Sequence, residues 1–86
     1  MSTEELPSVE EVVKSLTGFD EIAIEQKFRE DFTSLSPTMT TRALVFILEK
    51  RAGAEDKDAY RTSMNMPLGD IQGRFSEDDE DEQGKD

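Results

Sequence analysis

Apolar residues along this chain recur in short runs, separated by turn residues, and their spacing predicts helices. Val9, Val12, Val13 and Leu16 keep a helical interval after Ser8, which forms a capping-box pattern with Glu11. Gly18 follows as the expected stop. Three valines also suit a strand. In residues 19–28, Phe19, Ile22 and Ala23 share one side of a helical wheel, while Ile24 and Phe28 share another. Ile22 and Ile24 alternate as they would in a strand, but Asp20 and Glu21 at the start and Lys27 near the end favour a helix. Residues 29–35 read as a connector with two apolar anchors, Phe32 and Leu35.

The clearest helix is expected over residues 37–52. Ser36 stands at its cap, Pro37 at the first helical position, Lys50 and Arg51 in the last turn, and Gly53 beyond the end. Between them Ala43–Leu48 are six consecutive apolar residues, leaving only the Arg42/Glu49 side polar. A helix that is apolar nearly all round is covered by neighbours on several sides. Residues 55–64 predict a further helix, with an acidic first turn and Ala59, Tyr60, Ser63 and Met64 near one face. Leu68, Ile71 and Phe75 then support a short final helix or turn, weakened by Gly69 and Gly73. The expected fold is all-α: a bundle of about four short helices around a central buried one, spanning residues 8–75, after a flexible start at 1–7.

Composition sharpens this picture. Only 34% of the 86 residues are apolar, a thin supply for a core of this size. Cysteine and histidine are absent, so disulfides and thiolate or imidazole metal sites are excluded, and no cofactor is expected. The same absence removes the commonest general base and the strongest side-chain nucleophile, and the expected function is non-catalytic. Self-association or a protein partner is the remaining way to complete the core. The apolar residues expected to serve a partner are Phe46, Leu48, Tyr60, Met64, Ile71 and Phe75, although the phenylalanines are core positions first. The methionines read as gap fillers.

The net charge of −11 disfavours nucleic acid and anionic membrane surfaces as partners. Its distribution is uneven. Residues 76–86 carry seven acidic residues and one lysine, a net −6 that leaves −5 on residues 1–75. Such a segment buries too little to offset its ordering entropy, and a disordered acidic tail is expected. Calcium binding there lacks the ligand spacing and the central glycine of an EF-hand. Arg42, Lys50, Arg51, Lys57 and Arg61 gather the basic residues in mid-chain, where solvated helix ends and local ion pairs account for them. The acidic N-terminus has neither the basic start nor the apolar centre of a signal peptide, and a cytoplasmic location is expected.

Several features in order resemble the short tail-assembly chaperones of long-tailed, lambda-like bacteriophages of actinobacteria. They are Ile24-Glu25 followed by Phe32 and Leu35, the Arg42–Leu48 helix ending in Lys50-Arg51, Asp58-Ala59-Tyr60, Leu68-Gly69-Asp70-Ile71, and the acidic end. The resemblance covers residues 17–86 and carries no catalytic fingerprint. It implies a body that binds the tape-measure protein, keeping that long helical chain soluble until tail-tube subunits polymerise around it. In that family a longer product also arises by ribosomal frameshifting, often at Gly-Lys codons, which would place the junction at Gly84-Lys85. Two other classes fit the composition: a small virion protein such as a head–tail connector, and an acidic nucleic-acid mimic. A mimic spreads its carboxylates over a folded surface, whereas here they concentrate in the tail.

Overall fold

The computed structural model describes residues 6–76. Among them lie five α-helices: α1 (Val9–Ser15), α2 (Gly18–Phe28), α3 (Pro37–Arg51), α4 (Asp56–Asn65) and α5 (Leu68–Gln72). A single 3-10 turn at Phe32–Ser34 occupies the expected connector, and no strand occurs among the described residues. The fold is all-α, as the pattern predicts, and the short final element at Leu68–Gln72 is a helix.

Local chemistry fixes most boundaries. At α1 the Ser8 backbone N–H donates to Glu11 Oε1 and the Glu11 N–H donates to Ser8 Oγ, both at 3.1 Å. Gly18 does not end this helix. Leu16 turns extended after Ser15, and Gly18 opens α2, because Thr17 and Asp20 form a second reciprocal cap at 3.0 and 3.1 Å. That cap makes residues 19–28 helical rather than extended. At α3 Ser36 Oγ accepts from the Met39 N–H and Pro37 sits in the first turn. Its far end closes as a Schellman motif: Ala54 N–H donates to Glu49 O and Gly53 N–H to Lys50 O, with Gly53 at φ 112°.

Ala43, Leu44, Val45, Phe46 and Ile47 of α3 are fully buried, as a helix apolar on most sides requires. One side packs with Ala23, Ile24 and Phe28 of α2 and Ala59 of α4 around Phe46 and Ile47. The other packs Leu44 and Val45 with Val12 of α1, Ile71 of α5 and Phe75. Phe32 touches both clusters. The Ser76 N–H donates to Pro7 O at 2.9 Å, joining the two ends of the described body. Residues 1–5 of the expected flexible start, the acidic segment from Glu77 onward, and Gly84 and Lys85 lie outside the described residues.

One backbone position works against its residue type. Arg29 ends α2 at φ 66° and ψ 20°, the left-handed region that a Cβ disfavours. Its side chain is exposed and enters no ion pair among the described residues. Arg29→Gly is therefore expected to stabilise the body by about 1 kcal/mol, read as a higher urea midpoint with an unchanged slope.

Candidate protein-docking site

The structure does not bring the expected contact residues together. Phe46 and Ile71 are fully buried and Phe75 nearly so, which makes them packing residues that no partner reaches while the body stays folded. Tyr60 is half-buried, with its ring edge-on to Phe28 and Phe46. Leu48 is half-buried against the other cluster, on the α1–α5 side of α3. Met64 is exposed. Five of the six are split between two separate packing faces of α3, and Met64 lies outside both clusters.

The two most exposed large apolar residues among those described lie instead on α2. This helix has two apolar sides, and the core covers the one carrying Ile24 and Phe28 together with Ala23, the small residue that the wheel groups with Phe19 and Ile22. The other side leaves Phe19 84% and Ile22 51% exposed, one turn apart. An exposed phenylalanine beside an exposed isoleucine is more informative than a lone surface leucine, because contiguous apolar surface marks interaction sites. Beside it, between α2 and the 3-10 turn, lies an open groove of about 530 Å³. Ile22 and Phe32 give it apolar lining, joined by Gly18 and Thr33. Glu21, Glu25 and Asp31 complete the wall, so every charged residue along it is acidic.

Those three carboxylates enter no ion pair among the described residues. Glu21 and Glu25 are four apart on one helix, a like-charge spacing that costs a few tenths of a kcal/mol. Elsewhere the body neutralises such groups: Asp20 meets Arg51 at 2.9 Å, Asp56 meets Lys50 at 3.0 Å and Glu49 meets Arg74 at 2.8 Å.

Arg51 sets the position of the site. Its guanidinium reaches from the end of α3 to Ser15 Oγ at 2.9 Å, to Ser15 O at 3.2 Å and to Asp20 Oδ2 at 2.9 Å. The α1–α2 corner, from which Phe19 projects, is thereby pinned to the central helix. Burial pushes the Asp20 carboxyl up, but the Thr17 backbone hydrogen bond and the hydrogen bond and charge of Arg51 outweigh it. The carboxyl titrates below its ordinary range.

Among the described residues no group of three or more acidic side chains is placed to hold a metal ion, and no helix is long and apolar enough to cross a membrane. The residues of the phage-chaperone resemblance, by contrast, mostly build the body: Ile24, Ala43, Leu44, Phe46, Ala59 and Ile71 are all fully buried. Comparison with known proteins adds no relative: no family model, curated protein or solved structure matches this chain.

Proposed function

We propose that this chain is a non-catalytic tail-assembly chaperone of the long-tailed phage type. It works in the host cytoplasm, binding the tape-measure protein and keeping it soluble until tail-tube subunits assemble around it. The exposed Phe19–Ile22 surface and its groove carry the reading. A chaperone for a long helical chain needs an apolar face held open on a body that is otherwise closed, and helix-in-groove docking supplies the geometry. The net charge of −11 serves the same end, since like-charged complexes repel one another and stay dispersed. The order of the motifs from Ile24 to Ile71 supports the phage assignment over a virion connector.

Co-expression with a candidate tape-measure protein tests this directly. Full-length chain is expected to co-purify with it and to keep it in the soluble fraction. The double variant Phe19→Ala/Ile22→Ala is expected to keep its thermal midpoint, because both side chains are exposed, while its recovery of the partner falls severalfold. An insoluble tape-measure protein in the presence of the full-length chain sinks the chaperone reading. Detection of the chain in purified particles would favour the connector.

A further inference from the structure

We infer that the α2 groove takes a helical segment whose apolar stripe is flanked by lysine or arginine. This rests on the docking role proposed above and commits to the chemistry of the occupant. The apolar lining of Ile22 and Phe32, with Phe19 one turn away, provides the contact for the stripe. Glu21, Glu25 and Asp31 line the same groove with no cation among the described residues to meet them. Two carboxylates at i and i+4 beside an exposed apolar face repel each other until a positive charge arrives. An incoming cation gains from all three at once, and it is the only charge type that does.

Two other occupants fit worse. The chain's own acidic segment, residues 76–86 with net −6, brings like charge to an acidic wall. A second copy seated by a twofold axis sets Glu21, Glu25 and Asp31 against their own equivalents, since such an interface pairs a patch with itself. A partner helix with basic flanks meets neither objection. The charges also set the rate: an acidic groove steers a basic segment during encounter, and salt weakens that steering.

The test titrates the full-length chain with two synthetic helices of about 15 residues, a length near the limit of isolated helix stability. Both carry the same apolar stripe, one flanked by lysines and the other by glutamates. Calorimetry is expected to show the lysine helix binding about tenfold more tightly, with the preference shrinking as salt is raised toward about 1 M. Amide shifts should concentrate in residues 18–33. In Glu21→Gln/Glu25→Gln the preference falls to about threefold or less, and in Phe19→Ala/Ile22→Ala both helices weaken.

Equal binding of the two helices overturns the inference. So does a full preference retained in Glu21→Gln/Glu25→Gln, which would place the attraction in the acidic segment. A dimer that Phe19→Ala dissociates, and that excludes the lysine helix, would assign the face to a second copy and also overturn it. The outcomes separate cleanly from the chaperone reading. A preserved lysine preference without tape-measure rescue defeats only the latter, and rescue without the preference defeats only the former.

Discussion

Phe46→Ala is expected to cost about 3–5 kcal/mol, enough to bring the body close to its unfolding midpoint at room temperature. A body of this size has on the order of 5 kcal/mol in total, so one large cavity consumes nearly all of it. The ring of Phe46 is fully buried and is edge-on to Phe28 at 5.8 Å and to Tyr60 at 6.4 Å, while those two rings lie 5.1 Å apart. The three rings join α2, α3 and α4 at one point, and each edge-to-face pair adds about 0.5–1.5 kcal/mol beyond its buried area. Lys50 Nζ stands 5.6 Å from the Phe46 centroid and gains from the same ring. Phe46→Leu keeps most of the volume and should lose about 1.5 kcal/mol. Urea titration followed by circular dichroism separates the two variants. A Phe46→Ala chain that folds normally and fails only in partner binding would restore Phe46 as a contact residue.

Arg42→Met should have the next largest effect, a loss of about 1.5–3 kcal/mol. Arg42 Nη1 donates to Ser63 O at 2.7 Å and to Met66 O at 2.8 Å, with a weaker approach to Met64 O at 3.5 Å. These carbonyls belong to the end of α4, where a helix has no further N–H to offer them. A positive charge there also opposes the negative end of the helix dipole. Methionine retains much of the aliphatic stem, so the loss reports the hydrogen bonds rather than packing. Hydrogen exchange in α4 is expected to quicken along with the fall in the urea midpoint. Arg42→Lys should recover part of the loss, since one ammonium can serve two carbonyls at a single point. A change below about 0.5 kcal/mol in Arg42→Met would mean that water serves these carbonyls equally well.

These two residues mark where the amino-acid pattern was informative and where it ran out. The central helix was legible because its signals are local: a serine cap, a proline in the first turn, basic residues in the last and Gly53 at the exit. Phe46 followed from the same run, since a helix apolar nearly all round has nowhere else to put its large ring. Arg42 was legible only as part of the polar side. Its partners lie 21 to 24 residues away, a distance that no helical period encodes. Gly18 misled for a different reason. Glycine is a common helix stop, but Thr17 with Asp20 forms a cap in which aspartate does the work usually given to glutamate or glutamine.

The groove was missed although its residues were on the wheel. Phe19 and Ile22 fell on one side of α2 and Ile24 and Phe28 on another, and both sides were open to use as core. Only the packing of α2 against α3 decides between them. An eleven-residue helix with two apolar sides and one substantial helical neighbour leaves one side over. Of the expected contact residues, Phe46 came from the dense apolar run of α3 and Ile71 and Phe75 from a helical stripe, and in a small protein such positions are consumed by the core.

The Ser76–Pro7 hydrogen bond has a mechanical meaning. It brings the entry and exit of the described body to one spot, so tension applied through both flanking segments is first borne there. Beyond it α1 and α5 are expected to part from α3 before the α3–α4 pair, which the aromatic cluster holds together. Force spectroscopy is therefore expected to show the seam opening before the centre.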